Sequence, residues 1–171
     1  MPIWKRLLLI LTLLISCVGC DQTSKSVAKT YLSETEAISL LGDSVRLQVA
    51  KNYGAFLSMG DSLPVSWRSG LFLGGVGLLL LGLVAYSLLF KQMTFFSISA
   101  VALVVGGGLS NLIDRLQYDG YVVDFINLGI GPLRTGVFNL ADVAIMTGVF
   151  ALVLSGPLER RISNKTQEPT R

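Results

Sequence analysis

Four long apolar runs constrain this chain more than any other feature of its sequence. They lie at about residues 3–20, 71–90, 93–110 and 137–156. Each approaches the ~20 residues a helix needs to cross a hydrocarbon core. The second is the clearest, because its Gly-Leu-Leu-Leu-Leu-Gly-Leu-Val centre carries no charge. The third ends in Gly106-Gly107-Gly108, which suits close helix packing or a close backbone approach to a ligand. Charged residues make up only 15% of the chain, against about 25% in an ordinary soluble domain. The pattern predicts an α-helical integral membrane protein with four transmembrane helices. One compact unit then spans 1–156, and 157–171 form a basic cytoplasmic tail, polar and disordered from Glu159 on.

Basic residues set the orientation. Lys5 and Arg6 flank the first run, Lys91 sits between the second and third, and Arg160, Arg161, Lys165 and Arg171 follow the fourth. The two remaining connections, 21–70 and 111–136, carry Lys25, Lys29, Arg46, Lys51, Arg68, Arg115 and Arg134, but over far longer segments. The positive-inside rule weighs short loops and helix flanks most. Both termini are therefore expected on the cytoplasmic side, with 21–70 and 111–136 on the outer side. There, 26–41 reads as a short helix along the membrane surface, and 44–50 alternates apolar and polar as a half-exposed strand does. Segments 121–126 and 133–138, split by Gly129-Ile130-Gly131-Pro132, read as strand, turn, strand. A small outer sheet would collect them.

Basic residues, an apolar stretch and then Ser16-Cys17-Val18-Gly19-Cys20 have the form of a secretory signal with a lipoprotein-type cysteine. Three further spans and the residues just after Cys20 favour a retained first helix. Two cysteines three apart, with no His or carboxylate beside them, read as core thiols rather than a disulfide framework or metal site.

Two aspartates stand out against this background. Asp142 lies in Asn139-Leu140-Ala141-Asp142-Val143 at the mouth of the fourth run, and Asp124 lies in Val122-Val123-Asp124-Phe125-Ile126, 18 positions earlier. A carboxylate costs roughly 2.5–3.5 kcal/mol at the centre of a membrane helix, so it usually faces a partner, water or substrate. Two poorly solvated aspartates within reach of each other are what a water-activating acid/base dyad requires. They could equally be structural carboxylates, each bonded to a Lys or Arg.

Absences narrow the chemistry. The chain has no histidine, which removes a Ser-His-Asp triad, a His-bearing zinc site and any His general base. Gly106-Gly107-Gly108 lacks the Lys-Ser/Thr of a phosphate loop. The net charge of +3 sits at membrane flanks, so nucleic acid is not an expected partner. Thr23-Ser24-Lys25-Ser26 allows a Ser/Lys dyad, although Asp21, one helical turn away, offers Lys25 an ion pair.

Five ordered segments then resemble one family. Asp21-Gln22-Thr23-Ser24-Lys25 resembles its Asp-Gln-x-x-Lys motif, and Asn52-Tyr53-Gly54 its Asn-x-Gly segment. Gly107-Gly108-Leu109-Ser110-Asn111-Leu112-Ile113-Asp114-Arg115 is similar to its Gly-Gly-x-x-Asn-x-x-Asp-Arg block. Val122-Val123-Asp124-Phe125 and Phe138-Asn139-Leu140-Ala141-Asp142 are similar to its two aspartate motifs, in the same order. By these residues the chain resembles the lipoprotein signal peptidases, or signal peptidases II, of the bacterial inner membrane. One departure is visible at Phe56, which follows Gly54-Ala55 directly where many members carry an extra small residue. Which residue of the 52–58 loop meets substrate is therefore open.

The resemblance implies an intramembrane aspartyl endopeptidase with four membrane helices, a periplasmic β-cradle and a further short periplasmic helix. It implies cleavage of diacylglyceryl-modified prolipoproteins on the amino side of the lipidated cysteine. Asp124 and Asp142 would be the catalytic pair. Asp21, Lys25, Asn52, Gly54, Gly108, Asn111, Asp114, Arg115, Asn139 and Ala141 would be supporting or substrate-binding residues. The implied partners are prolipoproteins, membrane lipids and the inhibitory cyclic peptide globomycin, on a monomeric enzyme with no metal or organic cofactor. Asn139 and Asp142, and likewise Asn111 and Asp114, are three apart and so share a helical face. Asp114 and Arg115 could instead form a structural ion-pair network. Lys25→Ala is expected to slow cleavage with little loss of thermal stability. The rival is a non-catalytic membrane protein, such as a small transporter, that uses Asp124 and Asp142 as a proton or cation relay.

Overall fold

A computed structural model describes residues 1–54, 70–90 and 92–167 of the chain. The expectations that fall on Phe56, Arg68, Lys91 and Arg171 lie outside the described residues.

Helix α1 covers Ile3–Tyr31. Strands β1 (Ile38–Leu40) and β2 (Val45–Asn52) follow. A wide π-type turn over Gly70–Gly75 leads into α2 (Val76–Leu89), and α3 covers Phe95–Gln117. Strands β3 (Val122–Ile130) and β4 (Leu133–Arg134) come next, and α4 (Leu140–Gln167) closes the described chain. The four strands form one antiparallel sheet in the order β1-β2-β3-β4. Gly131, at φ 57, supplies the left-handed backbone that the β3–β4 hairpin requires.

The burial pattern is that of a chain solvated by lipid. On α1 the residues turned inward include Arg6, Asp21 and Lys25, whereas Leu7, Leu8, Leu11 and Ile15 face out. Leu78, Leu79 and Leu81 of α2 face out too. Among the described residues, α1 and α3 are long and apolar enough to cross a membrane, while the apolar helices Leu73–Leu89 and Leu140–Gly156 are shorter.

Helix α3 is the axle, with Ile98, Ala100, Val101, Ala102 and Val105 all buried. Its three consecutive glycines each face a different neighbour. A Cβ on Gly106 would meet Cys17 of α1 at 2.7 Å, and one on Gly107 would strike the Ala141 carbonyl oxygen of α4. One on Gly108 would meet the end of Leu80 of α2 at 2.7 Å. Without a solvent-driven hydrophobic effect between helices in lipid, such close backbone approach is how they gain packing energy. Thr94 caps α3 by accepting a hydrogen bond from the Ser97 N–H.

Several sequence expectations need correction. The predicted surface helix over 26–41 is not a separate element: 26–31 are the last turns of α1, and 38–40 are strand β1. The polar composition after Cys20 marks the end of the apolar span, not of the helix, because Asp21 and Lys25 bury their polar ends against α3. The tail is not disordered from Glu159 on, since α4 continues to Gln167; Glu and Arg are good helix formers. Arg6 is no solvated flank: it is buried and donates to the Ser87 and Phe90 carbonyl oxygens at 3.1 and 2.7 Å. That places a cation on the exposed carbonyls ending α2. Cys20 is exposed rather than a core thiol, while Cys17 packs near Gly106.

Candidate active site

The end of α1, the end of α3, the start of α4 and the middle of β3 converge on one buried polar cluster. Asp21 is fully buried, and it bonds in three directions. Its Oδ2 lies 2.7 Å from Lys25 Nζ and accepts the Ser110 hydroxyl at 2.7 Å, while its Oδ1 accepts the Ala141 N–H at 2.8 Å. The last contact joins α1 to the first turn of α4, where backbone N–H groups lack helical partners. Lys25 also reaches Asp114 Oδ2 at 2.8 Å and donates to Asn111 Oδ1 at 2.9 Å. Asp114 accepts from Gln22 Nε2 at 2.7 Å and from the Val123 N–H at 3.0 Å, which fixes the start of β3 against α3.

Asp124 and Asp142 stand beside this network but are held differently. Asp124 Oδ2 accepts from Asn52 Nδ2 at 2.9 Å, and its Oδ1 from Asn139 Nδ2 at 2.6 Å. Asp142 Oδ1 accepts from Asn111 Nδ2 at 2.9 Å, and its Oδ2 from the Asn139 N–H at 3.2 Å. Asn139 Oδ1 in turn accepts the Asp142 N–H at 2.9 Å. This is a reciprocal capping box, so the bonds that start α4 also orient Asp142. Among the described residues every hydrogen-bond donor to the two carboxylates is neutral, and neither makes a salt bridge. Burial pushes the Asp124 carboxyl up from 3.8 to about 7. The Asn52 amide opposes the rise, and the neighbouring Asp142 adds to it.

Such an arrangement can hold one proton between two carboxylates and pass it on. Asn139 links them, with its side chain on Asp124 and its backbone on Asp142. Asn52 also accepts the Gly54 N–H at 3.0 Å, and Arg115 donates to the Gly54 and Asn111 carbonyl oxygens.

A sequence model of the signal peptidase (SPase) II family matches residues 13–156. The chain belongs to that family. It is 37% identical over 145 residues to the lipoprotein signal peptidase of Moorella thermoacetica, covering 84% of this chain and 88% of that protein. It is 36% identical over 148 residues to that of Cronobacter sakazakii, covering 85% and 87%. A bacterial membrane enzyme solved by the in meso method at 2.3 Å resolution superposes with a TM-score of 0.78 at 25% identity, covering 95% of this chain and 94% of that one. The family makes this chain a membrane peptidase that removes signal peptides, and the transporter reading is not favoured.

Most sequence-selected residues meet in the cluster. Asp21, Lys25, Asn52, Gly54, Asn111, Asp114, Arg115, Asn139 and Ala141 all lie in it or touch it. Gly108 does not: its face packs on Leu80. Gly107 is the glycine against the start of α4, beside Ala141 and Ile145. Lys25 ion-pairs and offers no free amine for a Ser/Lys dyad. Asp114 pairs with Lys25, which is the centre of the charge network. With two salt bridges on a buried Lys25, the expectation that Lys25→Ala spares stability is turned around. Gln22 and Ser110 were missed as individual residues, although both stood inside recognised motifs. Gln22 donates to the Ser110 hydroxyl at 3.1 Å as well as to Asp114; only contacts distant in sequence reveal them.

Proposed function

We propose that this chain is an aspartyl endopeptidase that cuts diacylglyceryl-modified prolipoproteins on the amino side of the lipidated cysteine, with Asp124 and Asp142 as its catalytic pair. One observation carries this reading: a buried Asp124 and a half-buried Asp142, bridged by Asn139 and bonded among the described residues to neutral donors, beside two aspartates ion-paired to Lys25. A carboxyl raised to about 7 keeps its proton in about half of the molecules at neutral pH, where an ordinary carboxyl has lost it. Asp124 is therefore the acid that gives its proton to the scissile carbonyl oxygen. Asp142, at a helix N-terminus that favours an anion, is the base that takes a proton from the attacking water. The water's oxygen bonds to the carbonyl carbon; the tetrahedral intermediate then collapses as Asp142 gives the proton it took to the departing amine, Asp124 takes a hydroxyl proton back, and the C–N bond breaks.

Residues 1–156 act as one domain with four spans, at about 3–20, 71–90, 93–110 and 137–156, and residues 3–20 stay attached. Both termini face the cytoplasm, the segments 21–70 and 111–136 face the periplasm, and the dyad lies near that face of the inner membrane. The apolar outer surfaces of α1 and α2 support this placement. The enzyme acts as a monomer, and globomycin-type cyclic peptides compete for its substrate site.

The deciding experiment is cleavage of a diacylated prolipoprotein by the purified chain in detergent, without an ion gradient. A product beginning at the lipidated cysteine is expected. Cleavage that required a gradient, or that survived replacement of either aspartate by Asn, would overturn the proposal.

A further inference from the structure

A ladder of aromatic rings and lysines stands just outside the polar cluster, and the chemistry described above does not use it. Lys29 Nζ lies 4.0 Å from the centre of the Tyr118 ring. Tyr118 stacks on Tyr121, with centroids 5.5 Å apart and planes at 20°, and Tyr121 meets Tyr53 at 5.4 Å. Lys51 lies 5.8 Å from the Tyr121 ring and pairs with Glu34 at 2.8 Å. The three rings are half-buried, and both lysines are exposed.

Every rung is tied to the site. Tyr53 follows Asn52, which donates to Asp124, and Tyr121 precedes Asp124 by three residues on the approach to β3. Tyr118 caps α3 one turn beyond Asp114, donating its N–H to the Asp114 carbonyl oxygen at 2.8 Å. Lys29 is one turn of α1 beyond Lys25. One turn is about 5.4 Å of axial rise, so two helices place the ladder a single turn outward of the Asp21–Lys25–Asp114 level.

We propose that this ladder binds the peptide segment that follows the scissile bond, with a preference for an extended strand carrying acidic side chains. The inference rests on the peptidase reading above. The signal helix and lipid chains of the substrate lie in the membrane, so the residues beyond the cut leave the site outward, across this layer. Half-exposed rings offer flat surfaces to peptide planes, and phenol hydroxyls can bond to their carbonyl oxygens. Lys29 makes no salt bridge among the described residues, so its ammonium is available to a carboxylate. Tyrosines and lysines at this height could alternatively hold lipid headgroups, and the test separates the two.

Three diacylated substrates are compared: one ending shortly after the lipidated cysteine, one extended with acidic residues and one extended with basic residues. The unaltered chain is expected to cut all three, with the lowest KM for the acidic extension. Lys29→Glu should raise KM for the acidic substrate about three- to fivefold, as expected for an exposed charge contact, and lower it for the basic one. The kcat values and the truncated substrate should be unaffected. Tyr121→Leu should raise KM for both extended substrates and leave the truncated one unchanged. Equal effects on truncated and extended substrates would mean a lipid-facing belt and would overturn the proposal, as would no effect on any of them. Failure of the unaltered chain to cut any substrate would overturn the peptidase reading, and the ladder with it.

Discussion

Four aspartates meet in one cluster, three of them buried and Asp142 half-buried, and they fall into two pairs. Asp21 and Asp114 share Lys25 at 2.7 and 2.8 Å. Asp124 and Asp142 share Asn139, an amide that supplies hydrogen bonds and no charge. The first pair is held by the buried Lys25 ammonium, because a buried carboxylate needs a cation to offset its lost hydration. The second is held by amide and backbone donors, with no salt bridge among the described residues. The same side chain is thus tied to a cation in one pair and to an amide in the other. What differs is whether the nearest donor carries a charge.

Exchanging roles between the pairs gives the largest expected effect. Asp124→Asn or Asp142→Asn should cut turnover about a thousandfold or more, as loss of a positioned acid or base does. Melting temperatures should move little, because no ion pair is lost. Turnover and thermal melts on the same preparations check this. A variant that melted early and kept its specific activity would reverse the assignment of the pairs.

Next in size is Lys25→Met. It strands two carboxylates and is expected to cost about 3–5 kcal/mol of stability, with activity tracking the folded fraction. Chemical denaturation in detergent, beside turnover, measures both. A fully stable, slow enzyme would show instead that Lys25 acts on substrate.

The neighbouring glycines should separate more finely. A Cβ at position 107 meets the Ala141 carbonyl of the backbone, whereas one at 108 meets only the flexible end of Leu80. Gly107→Ala should therefore cost about 1–3 kcal/mol, the usual range for overpacking, and displace Asp142 with α4. Gly108→Ala should cost less and spare activity. Parallel melts and kinetics would show whether the two positions differ.

The last test is pH dependence. Asp124 binds its proton more tightly folded (about 7) than at the ordinary value of 3.8. Between these values the folded state holds more protons than the unfolded one, so stability falls as pH rises. The contribution is complete below about 4 and is lost as pH passes 7. Cleavage should decline on the same alkaline limb. Asp124→Asn should remove this part of the pH dependence of melting, which a titrated series of melts would reveal.

Residues that act along one element were the easiest to read from sequence. Asn111 and Asp114 are three apart on α3, so spacing alone placed them on one face; Asn139 and Asp142 also meet at that spacing, but as the two halves of the α4 capping box rather than as a helical face. Local chemistry also foretold β2 and the Gly131-Pro132 turn, but β3 runs on to Ile130 instead of stopping at 126, β4 ends at Arg134 instead of 138, and β1 lies where a helix was expected. Contacts between distant segments could not be read that way. Gln22 and Ser110 are 88 residues apart, and nothing local to either announces the bond. The difference between Gly107 and Gly108 is a rotation about α3, which sequence pattern registers only as three small residues. The end of α1 was misjudged because hydropathy reports where lipid ends, and a helix with buried partners continues past that point.

The run Gly106-Gly107-Gly108 also makes α3 a timing device. Successive residues turn by about 100° around a helix axis, so each glycine fixes the angular phase of the whole rod against one neighbour. Ser110, four residues on, meets α1 as Gly106 does, and Asn111 meets α4 as Gly107 does. Helix packing and the polar cluster thus run off one clock. A residue inserted between Gly108 and Ser110 would leave every helix intact and still put Asn111 and Asp114 out of phase with both aspartate pairs. Substitutions in α3 can be absorbed locally, but a change in its length cannot.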